Sequence, residues 1–327
     1  MSYSDRLLLK TAVIGITKNN ESCISQGIRN MIKISNLFKE SIVYLYENDS
    51  TDSTPQILAE WKKTSPNKFH YTSEKNVKKY NFHTQNIAQA RQKALDWVRE
   101  NYPDFELLII VDPDLYYDIN TTAILDTLNK WDEWDVCFAN GIYNNRGMTW
   151  DAFAMRLPDQ NVPWQGNKSY FSNFHRKANW GTGRIITEWT EVYSAFGGLG
   201  LYKSNMLKNI NYDVNSIDCE HVPFHNKIRN KLELEPISDN VTKDTTVVYK
   251  KNNSYQLALI KEIHKDDCPN LYYTIIIKTS MGLYEKQTTG NYLFTYRHPR
   301  LMINPKLIRI YSMREGVISG YGKSSFR

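Results

Sequence analysis

The first 140 residues alternate short apolar runs with stretches whose apolar side chains recur at helical spacing, and this alternation constrains the fold more than any other feature. Residues 11–16, 42–46 and 107–111 are mostly apolar or β-branched, which predicts strands buried on both faces. Repeated strand–helix units of this kind form a parallel sheet with helices on both faces. We therefore expect an α/β, Rossmann-like fold whose ligand site lies at the carboxyl ends of the strands.

Residues 243–294 have a different pattern, with four or five short strand-like stretches separated by turn residues. This pattern predicts a small β-barrel-like or β-rich insertion. We expect the α/β body over residues 1–242 and 295–312, followed by a flexible tail over 313–327. The insertion is compatible with a partner-binding module, and equally with a decoration that shapes an acceptor groove or a dimer contact.

The charge composition does not require a nucleic-acid ligand. The 41 Lys and Arg residues exceed the 35 Asp and Glu residues by six. The excess lies in residues 241–327, which carry 14 basic against 6 acidic side chains, while the rest of the chain is close to neutral. Nucleic acid is therefore not an expected partner.

Cysteine spacing and hydropathy indicate the compartment. The four cysteines lie far apart and form no CxxC pair, which favours a reducing compartment over a disulfide framework. No stretch approaches the roughly 18 consecutive apolar residues of a transmembrane helix, and no signal-peptide pattern is present. We expect a soluble, cytoplasmic protein without a membrane span, which for a viral protein means the host cytoplasm or the virion.

Asp112-Pro113-Asp114 directly follows the most apolar run of the chain. Two carboxylates two residues apart on a turn can hold one hard cation, and Mg²⁺ and Mn²⁺ are often bound by one or two carboxylates together with substrate phosphates. Such a cation would offset the charge of a departing nucleoside diphosphate. Pairs of surface aspartates are common, so it is the position after a buried strand that favours a metal site.

Other polar residues are placed to line the same edge. Thr17 follows the first predicted strand, and Glu47 and Asn48 follow the second, where acceptor groups can bind a ribose or a base edge. A turn with a helix N-cap explains the second segment equally well. Arg91 lies on an otherwise apolar helix face, from which it can reach a phosphate or pair with Asp112.

Candidates for acid–base chemistry come later in the chain. Glu220 or Asp218 can deprotonate an acceptor hydroxyl, although acidic residues at a helix N-terminus also act as simple caps. Gly197 and Gly198 open a predicted strand and let its backbone approach a ligand closely.

Six segments follow one another along the chain: Glu47-Asn48-Asp49-Ser50-Thr51-Asp52-Ser53-Thr54, His83-Thr84-Gln85-Asn86-Ile87-Ala88-Gln89-Ala90-Arg91, Asp112-Pro113-Asp114, Trp150-Asp151-Ala152-Phe153-Ala154-Met155-Arg156, Ser194-Ala195-Phe196-Gly197-Gly198 and Asp218-Cys219-Glu220-His221. In this order they resemble the nucleotide-sugar glycosyltransferases of the GT-A fold. They most resemble the fungal capsule-associated α-mannosyltransferase-like group and related bacterial and large-DNA-virus proteins. The resemblance covers about residues 10–236 and resumes at 300–311.

The resemblance implies roles for individual residues. Asp112 and Asp114 become the DxD pair, with Asp114 as the direct ligand of Mn²⁺ or Mg²⁺. Glu47 contacts the nucleoside, and Glu220 takes the position of the base in inverting enzymes. A late histidine, His298 or His225, completes the metal shell.

The third helix departs from the family pattern, which has two early arginines and a final asparagine. His83 and Asn86 replace the arginines and Gln92 replaces the asparagine, so a phosphate-binding role for this helix rests on Arg91 alone.

Aromatic residues between 141 and 193 are candidates for stacking on sugar rings, although about half of them are expected to be core residues. For the acceptor we single out Trp150, Asp151 and Trp189. The other aromatic candidates are Trp164, Trp180 and Tyr193.

The sequence therefore predicts a metal-dependent glycosyltransferase, either inverting or retaining, that moves a hexosyl or pentosyl group. The expected donor is a UDP- or GDP-sugar and the expected acceptor is a glycan or glycoprotein, with a homodimer as a further expectation. One alternative is a nucleotidyltransferase, although the segment after the first strand offers one lysine, Lys18, and no glycine. Another is a catalytically silent protein that binds a glycan or a partner.

Overall fold

The computed structural model describes residues 3–114, 117–143, 151, 153–158, 186–231, 233–237, 240–251, 254–264, 272–279 and 282–311. The chain separates into two compact units. Unit 1 comprises Met1–Arg229 and Arg300–Arg327, and unit 2 comprises Asn230–Pro299. Within the described ranges, no helix has both the length and the hydropathy that crossing a membrane requires.

Unit 1 is built on an eight-stranded sheet in the order β3-β2-β1-β4-β7-β5-β14-β6. Neighbouring strands run parallel except at β7, which is antiparallel to β4 and β5, and at β6, which is antiparallel to β14. This confirms the predicted α/β fold with a mostly parallel sheet. The strands are β1 (Thr11–Thr17), β2 (Ser41–Asn48), β3 (Phe69–Glu74), β4 (Leu107–Val111), β5 (Val136–Tyr143), β6 (Thr190–Glu191), β7 (Leu199–Lys203) and β14 (Leu301–Tyr311).

Helices cover both faces of this sheet, because alternate residues of each central strand need burial on opposite sides. Ile14 of β1 belongs to one hydrophobic core with Leu95, whereas the adjacent Val13 belongs to another core with Ile28. The helices are α1 (Tyr3–Arg6), α2 (Ile24–Ser35), α3 (Thr54–Thr64), α4 (His83–Asn101), α5 (Thr121–Asn129), α6 (Ser204–Leu207) and α7 (His221–Arg229).

The topology brings the predicted site segments to one edge of the sheet. The carboxyl ends of β1, β2 and β4 lie together because these strands are parallel neighbours. Strand β7 runs the other way, so Leu199 at its start pairs with Val111 at the end of β4. Gly197 and Gly198 therefore lie beside Asp112, although 85 residues separate Gly197 from it in the chain.

Unit 2 is a six-stranded antiparallel sheet in the order β12-β11-β10-β9-β13-β8, with a core that includes Ile260, Ile275 and Leu293. This confirms a β-rich extra region. Unit 2 begins at Asn230 and includes β8, upstream of the predicted insertion. Its strands are β8 (Glu233–Pro236), β9 (Thr246–Lys251), β10 (Ser254–His264), β11 (Tyr272–Thr279), β12 (Gly282–Thr289) and β13 (Leu293–Arg297).

The basic excess of the sequence is not concentrated in unit 2, which has 9 Lys and Arg against 8 Asp and Glu. Residues 300–327 have 6 basic side chains against 1 acidic side chain. The positive charge therefore belongs mainly to β14 and the residues after it. The predicted tail, 313–327, lies outside the described residues.

Candidate active site

The turn after β4 rests on helix α2. A Cβ at Gly27 of α2 would lie 2.0 Å from the carbonyl oxygen of Pro113, so the helix approaches this closely only because residue 27 is glycine. Asn30 of α2 donates through Nδ2 to the carbonyl of Tyr117 (2.9 Å) and accepts from the amide of Ile119 (3.1 Å). Helix α2 therefore packs directly against the Asp112-Pro113-Asp114 turn and bonds to the residues that follow it.

Asp112 is bonded from three directions. Its carboxylate oxygen Oδ1 accepts from Arg91 of α4 (3.0 Å), and its carbonyl accepts from Arg309 of β14 (3.1 Å). Its amide donates to the carbonyl of Gly198 (3.0 Å). The side chain stays 25% exposed, so the carboxylate is both held by the protein and open to a ligand.

Arg91 links Asp112 to Glu220, the residue that precedes α7. The Nε of Arg91 donates to Oε1 of Glu220 (2.8 Å), and the guanidinium lies over the ring of Phe196, 4.8 Å from its centre. Both members of the Arg91–Glu220 pair are almost fully buried, with 6% and 7% of their side-chain surfaces exposed. One guanidinium thus serves two acids from distant parts of the chain.

His221 completes this cluster. Its ring stacks on Phe196 at 3.9 Å, and its Nε2 lies 3.3 Å from Oε1 of Glu220. Burial, together with the positive charge of Arg91, lowers the pKa of His221 well below its usual range, so the imidazole is neutral. Glu220 also accepts a weak bond from the Cys219 thiol at 3.7 Å.

Asp151 joins the site through the glycine turn before β7. Its Oδ2 accepts from the amide of Gly197 (2.9 Å). Gly197 and Gly198 have φ values of +60° and +79°, and a Cβ at Gly197 would lie 2.3 Å from the carbonyl oxygen of Ala139. Loss of hydration is the main cause that raises the pKa of Asp151 to about 7; the nearby carboxylates raise it further, and the Gly197 amide partly offsets the shift.

Glu47 organises the loop after β2 from inside the protein. Its carboxylate is fully buried; Oε1 accepts from the amide of Ser50 (2.8 Å) and Oε2 accepts from the Ser73 hydroxyl. The adjacent Asn48 donates to Asp49 (3.2 Å) and is partly exposed. Of the two predicted nucleoside-binding residues, Asn48 is therefore the more accessible.

The loops after β1 and β2 are interlocked by reciprocal bonds. The amide of Asn19 donates to Ser50 Oγ (2.9 Å), and the amide of Thr51 donates back to Asn19 Oδ1 (2.7 Å). Thr17, at the end of β1, is buried, and its hydroxyl has no hydrogen-bond partner among the described residues. These bonds tie the two loops together at this edge of the sheet.

Comparison with known proteins places the chain in a family. Residues 12–203, more than half of the chain, match the model for Glycosyl transferase family 2. The chain belongs to glycosyl transferase family 2. The match contains β2, β4, β7 and all of β1 except its first residue, which are the elements that position Asp112 and the glycine turn. No curated protein matches this glycosyltransferase.

Several solved structures are similar to it. The structure of S. aureus TarS 1–349 in complex with UDP-GlcNAc shares 20% identity over 67% of this chain and 53% of its own, with a TM-score of 0.42. The mannosyltransferase PcManGT from Pyrobaculum calidifontis, in complex with GDP-Man and Mn²⁺, shares 16% identity over 65% of this chain and 50% of its own, with a TM-score of 0.39. GalNAc-T7 with UDP, GalNAc and Mn²⁺ shares 13% identity over 94% of this chain and 44% of its own, with a TM-score of 0.46.

This glycosyltransferase spans about half the length of the TarS 1–349 chain it matches, 55% in the structure without ligand. None of these comparisons tests the narrower resemblance to the fungal capsule-associated group, which stays a prediction.

The oxygen atoms that the Asp112-Pro113-Asp114 turn offers as metal ligands suit a hard cation. Among the described residues, no group of three or more His, Cys, Asp or Glu side chains could hold a metal by itself. Asp112 and Asp114 offer carboxylate oxygens at a partly exposed turn. Two such ligands with the remainder from substrate phosphates is the usual arrangement for Mg²⁺ and Mn²⁺, so the residues fit the predicted ion.

The two histidines predicted to complete the metal shell lie in different surroundings. His225 is in the core, where its Nδ1 bonds to Ser194 Oγ (2.8 Å) and its Nε2 to the Tyr202 hydroxyl (2.9 Å). Burial lowers the pKa of His225 to about 3. Both ring nitrogens are occupied, so His225 is left out of the ligand set proposed below. His298 is exposed and belongs to unit 2.

The other predicted residues are less central to the cluster. Asp218 accepts from Arg156 (2.8 Å); burial raises its pKa, although Arg156 opposes the shift. Trp189 packs against a core of the sheet, with the Lys130 ammonium 5.1 Å from its ring centre. Tyr193 lies under the guanidinium of Arg229, at 3.4 Å. Trp150, Trp164 and Trp180 lie outside the described residues.

Arg309 and Gly27 are site residues that sequence reasoning missed, and each left a signal. Arg309 is a buried cation in the otherwise apolar run 307–311, a pattern that usually marks a paired charge. Gly27 interrupts the apolar face of α2, and a glycine within a helix often marks a close contact.

Proposed function

We propose that this family 2 glycosyltransferase transfers a hexosyl or pentosyl group from a UDP- or GDP-sugar to a hydroxyl of a glycan or glycoprotein. One observation carries the proposal: Asp112, Arg91 and Glu220 form one bonded cluster at the carboxyl edge of the sheet. The cluster combines a partly exposed acid suited to a metal diphosphate with a second acid suited to an acceptor hydroxyl.

The donor nucleotide is proposed to bind over the interlocked loops after β1 and β2. Thr17 and Asn48 supply a hydroxyl and an amide at this edge, where a ribose and a base present polar atoms of both kinds. Glu47 acts from beneath by holding the amide of Ser50, and it shapes the loop rather than touching the nucleoside.

Asp112 and Asp114 would hold Mn²⁺ or Mg²⁺ together with the diphosphate of the donor. The bound ion would neutralise charge on the departing nucleoside diphosphate. The glycine turn keeps the backbone of Gly197 and Gly198 close to Asp112 and leaves no side chain in the way of the sugar.

Glu220 is proposed as the base of an inverting displacement. The acceptor oxygen would form a bond to the anomeric carbon while its proton passes to a carboxylate oxygen of Glu220, and the nucleoside diphosphate would leave with the electron pair of the broken C–O bond. Arg91 holds Glu220 in one orientation. Asp218 lies two residues before Glu220 in the chain, and Asp151 lies close enough to interact with it electrostatically, so both acids are placed to orient the acceptor. In a retaining reaction Glu220 would orient the acceptor without taking its proton.

The test is a panel of UDP- and GDP-sugars with Mn²⁺, in which thermal shift reports binding and diphosphate release reports turnover. Asp114→Asn should abolish metal-dependent donor binding with the fold intact. The matched control is Asp118→Asn, because Asp118 is an exposed acid of the same segment that accepts from Gln26. Failure of every donor to bind or turn over refutes the proposal, and binding without turnover favours the silent glycan- or partner-binding alternative.

A further inference from the structure

We propose that Arg91 is a positioning residue that links cation binding at Asp112 to the placement of Glu220. The inference rests on the proposed function, since it concerns the same cation and the same base. Beyond that function, the guanidinium of Arg91 would be one positive charge shared by the cation site at Asp112 and the base Glu220. Arg91 would touch neither donor nor acceptor and would act only through the two carboxylates.

The geometry of the guanidinium carries this inference. Arg91 uses different nitrogens for its two partners: Nε for Glu220 at 2.8 Å and a terminal nitrogen for Asp112 at 3.0 Å. The group is planar and always charged, so it cannot release either carboxylate by losing a proton. Because the side chain is 6% exposed, salt and water screen these contacts only weakly.

The surroundings leave the guanidinium little room to move away. The guanidinium of Arg91 lies over the ring of Phe196, and His221 stacks on Phe196 while its Nε2 lies 3.3 Å from Glu220. The four side chains form a closed ring of contacts in which His221 is neutral. These contacts oppose movement of the guanidinium away from its two acids.

A cation at Asp112 would compete with Arg91 for the same carboxylate. Two positive groups on one acid repel each other, and the repulsion favours the contact of Arg91 with Glu220 over its contact with Asp112. Glu220 would then be held most firmly when the cation is in place. In the opposite direction, Glu220 neutralises part of the charge of Arg91 and so favours cation binding at Asp112.

This linkage predicts opposite changes in cation affinity for two variants. Arg91→Met removes the competing charge and should tighten Mn²⁺ binding by about tenfold in the absence of donor, while the kcat for transfer falls by about 100-fold. Glu220→Gln leaves the charge of Arg91 without its second partner and should weaken Mn²⁺ binding by about threefold to tenfold. A purely structural role for Arg91 would weaken binding in both variants.

The experiment titrates the metal-free protein, residues 1–327, with Mn²⁺ alone and measures free Mn²⁺ by electron paramagnetic resonance. Arg99→Met is the matched control, because Arg99 lies on the same helix and donates to the carbonyls of Leu207 and Ile210 instead. Its Mn²⁺ affinity should stay within about twofold of the unmodified protein. Circular dichroism checks that each variant is folded.

Changes of opposite sign in Arg91→Met and Glu220→Gln support the inference, and changes of the same sign or no change overturn it. If Arg91→Met does not fold, the double variant Arg91→Met/Glu220→Gln removes the unpaired buried acid and must bind Mn²⁺ more tightly than Glu220→Gln alone. Absence of Mn²⁺ binding to the unmodified protein also overturns the inference. The proposed function is decided separately, by the donor panel on the unmodified protein.

Discussion

Replacement of Gly197 by alanine tests whether the glycine turn before β7 is required by space as well as by backbone conformation. Gly197 has a φ of +60°, a conformation that side chains with a Cβ rarely adopt. Its missing Cβ would lie 2.3 Å from the carbonyl oxygen of Ala139 and 2.7 Å from the amide nitrogen of Gly141. Both neighbours are backbone atoms of β5, so neither can move away by a side-chain rotation.

The expected cost has two parts. A left-handed conformation costs a residue with a Cβ about 1–2 kcal/mol. Displacement of backbone in a packed region adds about 1–3 kcal/mol. A central estimate of about 3 kcal/mol corresponds to a fall of about 6–12 °C in the unfolding midpoint of a unit of this size. Donor affinity should fall as well, because the same turn bonds to Asp112 and Asp151.

Tryptophan fluorescence is a suitable assay, because all eight tryptophans lie within residues 61–189 of unit 1 and none lies in unit 2. Gly282→Ala is the control. Gly282 has a φ of +120°, but no atom of the residues that the structure describes lies within 4 Å of its missing Cβ, and it belongs to unit 2. It should leave the tryptophan transition unchanged. A midpoint for Gly197→Ala within 2 °C of the unmodified protein would refute the reasoning.

Three further predictions concern Asp151, His225 and Glu47. Lost hydration is the chief cause that raises the pKa of Asp151 to about 7, so folding of the metal-free protein favours the neutral acid. The stability that depends on this proton is complete below about pH 4 and is lost as the pH rises through 7. Asp151→Asn should therefore raise the thermal midpoint at pH 8 and leave it unchanged at pH 4, and a midpoint unchanged at both values contradicts this. His225→Leu removes the hydrogen-bond partner of the Ser194 and Tyr202 hydroxyls, so the free energy of unfolding in urea should fall by about 2–4 kcal/mol without a change in Mn²⁺ affinity. Loss of Mn²⁺ binding in a folded variant would show instead that His225 is a metal ligand. Glu47→Gln should lower the free energy of unfolding by about 1–3 kcal/mol and raise the KM for the donor with little change in kcat. An unchanged KM would contradict the proposal that Glu47 shapes the loop that binds the donor.

The elements of the body could be predicted because their signals are local. The apolar run at 107–111 coincides with β4, and the runs at 11–16 and 42–46 fall within β1 and β2. Continuous burial of such strands leaves few alternatives to a sheet covered on both faces.

The placement of β7 could not be predicted in the same way. Its strand signal was local, but its position between β4 and β5 depends on pairing with β4 across about 90 residues of chain. Nothing in the periodicity of a strand specifies its distant partner, or whether it pairs parallel or antiparallel.

The candidate site could be predicted as a set of residue types but not as a set of contacts. The acids and Arg91 were visible because charged residues stood at strand ends or on an apolar helix face. The burial of Glu47 and the engagement of both nitrogens of His225 were not visible, because each depends on side chains from other elements. The sequence left Arg91 with two alternatives, a phosphate or a pair with Asp112, and the second contact to Glu220 appears only in three dimensions.

The late position of β14 in the chain has a consequence for synthesis on the ribosome. The amide of Arg300 bonds to Asp135, 165 residues earlier, and Arg309 bonds to Asp112, 197 residues earlier. At about 5–20 residues per second, β5 waits about 8–33 s for its parallel neighbour while unit 2 is being made. During this time β5 has an unpaired edge that invites wrong partners. A nascent chain that stops before β14 also lacks one of the two arginines that bond to Asp112, so the candidate site is assembled only after unit 2 has been made.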